Sequence, residues 1–183
     1  MTSLYLTANR ADLVIDRRTV FDLHRLLAAG LLGNPADGGR IRRSIVFFDD
    51  SAYRPLANQF QLEEQFDLFC DKACAIKDPL EQAVFTMAFI PYLQPFQDAN
   101  KRTSRLCMNV PLLRARMAPF SFAQVNRPSY MFGLLAFYER GRPEFLTDVF
   151  ENAYAKGAPR YVEIMRVLRG GGTLGSVSLM GLT

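Results

Sequence analysis

Apolar positions return every three or four residues along most of this chain, the period of helices with one buried face. In "RRTVFDLHRLLAAGLLGN", Val20, Leu23, Leu26 and Leu27 keep that spacing. Thr19 is the expected N-cap there, and Gly30 and Gly33 mark the exit. Leu62, Phe66, Phe69, Cys70 and Ala73 predict a second helix over about 58–76. A third starts at Asp78, with Pro79 in the first helical position and Glu81 completing a capping box. It is expected to run to about Ile90 and stop at Pro91. Val84, Phe85, Met87, Phe89 and Ile90 make it apolar on most faces, which places it at the centre of the fold. After a loop over 94–100, a helix resumes through Leu106, Met108, Leu112 and Leu113, with a kink expected at Pro111. Three more are predicted at 129–139, 143–155 and 158–168.

The only β-structure expected is one short hairpin in "SIVFFDDSAYRPL". Ile45 to Phe48 form the outgoing strand, Asp49-Asp50-Ser51 the turn, and Ala52-Tyr53 the return before Pro55. A Gly-Arg-rich passage, Gly38 to Arg43, precedes it. No repeat and no linker divides the chain. The expected organisation is an N-terminal segment 1–18, one all-α, compact helical domain 19–168 with that hairpin, and a mobile Gly-rich tail 169–183.

Composition narrows this picture little. With 183 residues, 49% hydrophobic and 22% charged, the chain reads as one ordinary globular domain. Fifteen Phe and seven Tyr with no Trp imply a core of medium aromatics. A net charge of +4 spread along the chain does not indicate nucleic acid, and suits small anions equally well. Cys70, Cys74 and Cys107 have a single histidine, His24, for company, so zinc is not expected. The cysteines read as buried thiols of a reduced, cytoplasmic protein. No apolar run near 18 residues predicts a membrane span, and no secretory leader is visible.

The chemistry concentrates in "YLQPFQDANKRTSR", Tyr92 to Arg105. A loop entering a helix offers unpaired N–H groups and the positive end of the helix dipole, which together favour an anion. Here Asp98, Asn100, Lys101, Arg102 and Arg105 crowd into that entry, and Ala99 is small enough for a ligand to approach the backbone. Asp98 fits a Mg²⁺ shared with phosphates, since that ion is usually held by one or two carboxylates. It fits equally a helix cap beside a solvated row of cations. Residue types leave the two readings level.

The stretch "QPFQDANKRTSR" resembles the signature of the Fic/Doc family, His-x-Phe-x-(Asp/Glu)-(Gly/Ala)-Asn-(Gly/Lys)-Arg-x-x-Arg. Phe96, Asp98, Ala99, Asn100, Lys101, Arg102 and Arg105 match it, and Gln94 stands at the histidine position. "SIVFFDDSAYRPL" resembles the family's flap, which positions a target segment, and the likeness covers roughly 20–155. Membership implies a helical fold that binds ATP with Mg²⁺ and transfers part of the nucleotide, usually AMP, to a protein hydroxyl. By that resemblance Asp98 holds Mg²⁺, Asn100 the α-phosphate and Arg102 the terminal phosphates, while the backbone of Ala99 to Lys101 forms an anion hole. Arg105 joins the nucleotide site. The implied partners are a target protein along the flap, 44–54, and an antitoxin or other regulator.

Two departures matter. The family's histidine is the general base, and glutamine does not titrate, so Gln94 can orient a hydroxyl but cannot accept its proton. That leaves either a slow adenylyltransferase or an inactive relative acting as a nucleotide- or protein-binding module. His24, on a helix among leucines, reads as a packed or capping histidine, and Asp49 or Asp50 as turn residues. Lys101 gives "DANKR", closer to the Doc branch, which is associated with phosphate transfer, so the transferred group stays open. Thr147 to Asn152, "TDVFEN", also fits the family's inhibitory pattern loosely, which would give Glu151 an inhibitory role toward Arg105.

Overall fold

A computed structural model describes residues 13–48 and 51–169, excepting the side chains of 168 and 169. Within them the helices are α1 (Arg17–Ala28), α2 (Gln59–Ala75), α3 (Pro79–Leu93), α4 (Asn100–Cys107), α5 (Asn109–Arg114), α6 (Arg127–Arg140) and α7 (Glu144–Arg169). Short 3-10 turns lie at Pro35–Asp37 and Phe122–Gln124. Most of the expected N-terminal segment and Gly-rich tail lies outside the described residues.

Short polar side chains set most helix starts. Asn58 Oδ1 accepts the N–H groups of Phe60 and Gln61 at the head of α2, and Asp78 Oδ1 those of Leu80 and Glu81 at the head of α3. At α1 the cap is Asp16, not Thr19, because the Asp16 carboxylate takes the Thr19 N–H at 2.7 Å and starts the helix three residues sooner.

The prolines act differently from expectation. α3 runs through Pro91 to Leu93 and ends where Gln94 turns left-handed, at φ 48°. A proline in the last turn removes a single ladder bond, which buried packing on both sides of it outweighs. Pro111 leaves no N–H for the Cys107 carbonyl four residues back, and the discontinuity between α4 and α5 falls there, at Met108. The two helices expected at 143–155 and 158–168 are one, α7, 26 residues long. Pro159 sits inside it on an exposed face, and the Ala155 carbonyl it frees belongs to an exposed residue that water can serve.

The expected hairpin carries no strand among the described residues, and Asp49 and Asp50 lie outside them. Ser44 to Phe48 has no regular secondary structure, with Ile45 and Phe47 exposed and Val46 and Phe48 half-buried. A ladder is replaced by a side chain. Arg42 donates Nη1–H to the Ser44 carbonyl at 2.6 Å and Nη2–H to the Leu56 carbonyl at 2.7 Å, so one guanidinium joins the two arms.

α3 touches α2, α4, α5, α6 and α7, which bears out its expected central place. Two apolar clusters meet on it. One gathers Val20, Leu23, Leu62, Phe66, Ile90 and Phe96; the other Met87, Met108, Leu112, Leu134, Leu146 and Phe150. Burying one such side chain contributes roughly 1.5–3 kcal/mol. Cys70 and Cys107 are buried, and burial pushes the Cys70 thiol up to about 12. Cys74, expected to be buried, is exposed on α2 one turn further on. No helix among the described residues is long and apolar enough to cross a membrane.

Candidate functional site

The loop between α3 and α4 is built from its buried side outward. Phe96 is fully buried and drives the loop into the core, where its ring stacks on His24 at 3.8 Å between centroids and meets Phe21 and Phe66 edge-on. Asn100 then closes the loop: its Oδ1 accepts the Phe96 N–H at 2.9 Å and its Nδ2 donates to the Phe96 carbonyl at 2.8 Å. The same amide nitrogen donates to Gln94 Oε1 at 3.0 Å, and Gln94 Nε2 donates to the Pro91 carbonyl at 2.6 Å.

Three further bonds reach the loop, one from His24 on α1 and two from Arg42 between α1 and the flap. Arg42 Nε–H donates to the Gln94 carbonyl at 2.6 Å and the Arg42 N–H to the Pro95 carbonyl at 2.8 Å. His24 Nδ1 accepts the Gly39 N–H at 2.8 Å, which leaves its proton on Nε2, facing the Asp98 carbonyl at 3.3 Å. Burial lowers the His24 pKa below its ordinary value and keeps the ring neutral. The fold does bring His24 to the loop, but as a packed support with no exposure, so it offers no base to an incoming hydroxyl.

The outward side is the opposite in character. Ala99 adopts φ 64°, a left-handed turn that starts α4 without a side-chain cap. The ladder of α4 begins with the Thr103 N–H on the Ala99 carbonyl, so among the described residues the N–H groups of Asn100, Lys101 and Arg102 have no hydrogen-bond acceptor. At the same helix start Arg102 Nη2 lies 3.5 Å from Asp98 Oδ2, both side chains about half exposed. An exposed pair of this kind contributes only about 0–1 kcal/mol and exchanges readily for a ligand.

The residues singled out by sequence therefore divide into three groups. Asp98 and Arg102 form the exposed pair. Ala99, Asn100 and Gln94 belong to the loop's own hydrogen-bond network, and Asn100 has both amide hydrogens engaged there. Lys101 and Arg105 turn toward α6. Lys101 Nζ lies 3.9 Å from Met131 Sδ, and its amine is lowered by burial and then by the Arg105 and Arg127 charges. The Arg105 guanidinium sits 4.4 Å over the Phe122 ring and 5.4 Å from that of Tyr130.

Asp98 suits Mg²⁺ by its donor chemistry. Ala99 N–H engages its Oδ1, while Oδ2 stays on the open side beside Arg102. Among the described residues no three His, Cys, Asp or Glu side chains gather to hold a metal by themselves, so ligand oxygens and water would have to complete the shell. Glu151 lies exposed on α7, and no ion pair joins it to Arg105 among the described residues.

Sequence reasoning missed Arg42 and Gly39. The Gly-Arg-rich passage around them was visible, but nothing in it announced that its partners are backbone carbonyls.

Comparisons with known proteins agree with this architecture. The protein adenylyltransferase Fic of Nematostella vectensis is 33% identical over 115 residues, 61% of this chain and 26% of that protein. The chain spans about a quarter of the length of the curated relatives it matches. Fic-1 from Caenorhabditis elegans superposes with a TM-score of 0.67 at 20% identity, over 88% of this chain and 48% of that one. The N-terminal Fic domain of a VirB-translocated Bep effector protein from Bartonella quintana, with bound ADP, gives 0.63 at 16% identity, over 83% and 78%. These two likenesses show the fold. The model of the Fic/DOC family matches residues 14–112, more than half of the chain, and the chain belongs to the Fic/DOC family.

Proposed function

We propose that this chain binds Mg²⁺-ATP at the N-terminus of α4 and transfers AMP, or phosphate, to a hydroxyl side chain of a target protein, slowed by Gln94. The observation that carries the reading is that the N–H groups of Asn100, Lys101 and Arg102 have no acceptor among the described residues, at the same helix start as the Asp98–Arg102 pair. Oriented N–H groups at a helix start stabilise charge developing on a phosphoryl group, and such stabilisation is usually what lowers the barrier to transfer most. A relative with this fold holds ADP.

The residues then take separate roles. Asp98 would hold Mg²⁺, which neutralises phosphate charge when bound. Arg102 leaves Asp98 to grip the terminal phosphates, and the N–H groups cradle the phosphoryl group being transferred. Asn100 holds the loop in shape, and it reaches the α-phosphate only by releasing Gln94. The backbone of 45–48, which joins no strand ladder among the described residues, receives the target along the flap. The target's hydroxyl oxygen attacks phosphorus, its proton passes to solvent, and pyrophosphate (or ADP, for phosphate transfer) departs. Lacking a base at residue 94 slows this by about 10²- to 10⁴-fold, roughly 3 to 5 kcal/mol. Three unpaired cysteines suit a reduced, cytoplasmic setting.

A second reading is favoured by one observation: both ends of the Gln94 amide are engaged within the loop, so it does not reach toward an incoming hydroxyl. On that reading the chain binds nucleotide, or a regulatory partner such as an antitoxin, without turnover. Incubation with Mg²⁺, a lysate and ATP labelled at the α- or γ-phosphate separates the two, run beside Gln94→His and beside calorimetric ATP titration. Label in wild type, raised 10²- to 10⁴-fold by Gln94→His, supports the transferase. Binding without label in wild type, with label gained by Gln94→His, supports the module, whereas a variant that binds ATP and stays dead places the defect elsewhere than residue 94. Neither binding nor label removes both.

A further inference from the structure

Arg42 is 4% exposed, yet no carboxylate pairs with it among the described residues. Buried arginines are ordinarily matched to an acid, because an unpaired charge in the interior is unfavourable. Here three backbone carbonyls take that place: Gln94 at 2.6 Å, Ser44 at 2.6 Å and Leu56 at 2.7 Å. They come from three separate segments, the signature loop and the two arms of the flap. The planar guanidinium suits this, since Nε, Nη1 and Nη2 point along fixed, divergent directions in one plane. An apolar side chain would fill the same space without desolvating a charge, so filling space does not account for an arginine.

Two details sharpen the case. The flap arms lack a strand ladder among the described residues, so Arg42 does what ladder bonds would otherwise do at their base. Gln94 holds a left-handed backbone, φ 48° and ψ 55°, which a side-chain-bearing residue adopts only when its surroundings impose it. The Arg42 bond to the Gln94 carbonyl and the Arg42 N–H bond to the next carbonyl, Pro95, fix that turn from beneath.

We propose that Arg42 is a positioning residue that locks the flap to the signature loop, so that a hydroxyl presented along the flap arrives at residue 94. This rests on the transferase reading for its functional meaning, though not for its geometry. The lock has a consequence for substitution: lysine has one nitrogen and cannot reach three diverging carbonyls, so Arg42→Lys breaks the lock while keeping the charge.

The test uses the full chain with Arg42→Met and Arg42→Lys. Hydrogen exchange is read at Ala52 and Tyr53 in the flap, at Gln94 and Phe96 in the loop, and at core amides of α2. The expected result is exchange at least about tenfold faster in flap and loop together, with α2 unchanged. Acceleration in only one of them, or in neither, overturns the proposal. If both variants unfold outright, Arg42 is a folding residue and the proposal is equally overturned. In a Gln94→His background, adding Arg42→Lys is expected to leave the Mg²⁺-ATP dissociation constant within about twofold while lowering transfer at least about tenfold. A parallel loss of ATP affinity contradicts positioning. Should Gln94→His neither bind ATP nor transfer label, the functional reading fails, and the exchange measurement still decides the lock.

Discussion

The two sides of one loop, Gln94 to Arg102, obey opposite rules. On the buried side nearly every polar group has a partner: Asn100 answers both backbone groups of Phe96, His24 meets the Asp98 carbonyl, and Arg42 holds the carbonyls of Gln94 and, through its N–H, Pro95. On the open side three N–H groups have no acceptor among the described residues, and the Asp98–Arg102 ion pair is half exposed. Interiors penalise unmatched polar groups, so saturation below is what stability requires. Unspent donors above are what a ligand requires. The loop keeps its shape through one face and leaves the other free to bind.

That contrast is broken most severely from below. Phe96→Ala is expected to remove about 3–5 kcal/mol of stability, read as a shifted urea midpoint, because the cavity lies against His24, Phe21 and Phe66 where collapse is hindered. The opposite face gives the opposite result. Arg102→Ala is expected to weaken Mg²⁺-ATP binding roughly 10- to 100-fold by calorimetry, while the urea midpoint moves by less than about 0.5 kcal/mol equivalent. A large stability loss there would show that the two faces are not separate.

The smallest effect concerns pH. Burial holds the His24 imidazole below its ordinary value near 6.5. The unfolded chain therefore takes up this proton first as the pH falls, and in that interval it binds more protons than the fold. Stability is complete above about 6.5 and declines below it, by at most about 1.4 kcal/mol per pH unit, until the buried ring titrates too. Urea midpoints at pH 7.5, 6.5 and 5.5, compared with those of His24→Leu, isolate the effect. Equal slopes in the two proteins would mean that the bond to the Asp98 carbonyl is kept by a charged ring.

The comparison also explains what the sequence disclosed. Asp78 was legible as a cap because its short side chain bonds locally, to N–H groups two and three residues ahead. The period of α3 was legible because an all-round apolar helix has few places to go but the centre. The open face of the loop could be read from Asp98 to Arg105, where charges stand together in the chain. The supports underneath could not. An arginine bound to an acid leaves two marks in a sequence, whereas a carbonyl exists at every residue, so Arg42 left one mark and no visible partner. Gln94 could be read as a non-titrating residue, but its engagement with Asn100 and Pro91 depends on a backbone turn that composition does not announce. The same limit explains α7, where the break expected between Ala155 and Ala158 is absent and water access to one carbonyl lets the helix continue past Pro159.

Gly39 extends this further from the site. Its φ is +69°, and a β-carbon there would stand 2.7 Å from the Phe21 carbonyl oxygen. A single added methyl group would push the segment off α1, withdraw the N–H that fixes the His24 tautomer, and be felt at Asp98 through one imidazole. A glycine upstream of the signature is in this way tied to the shape of the signature loop.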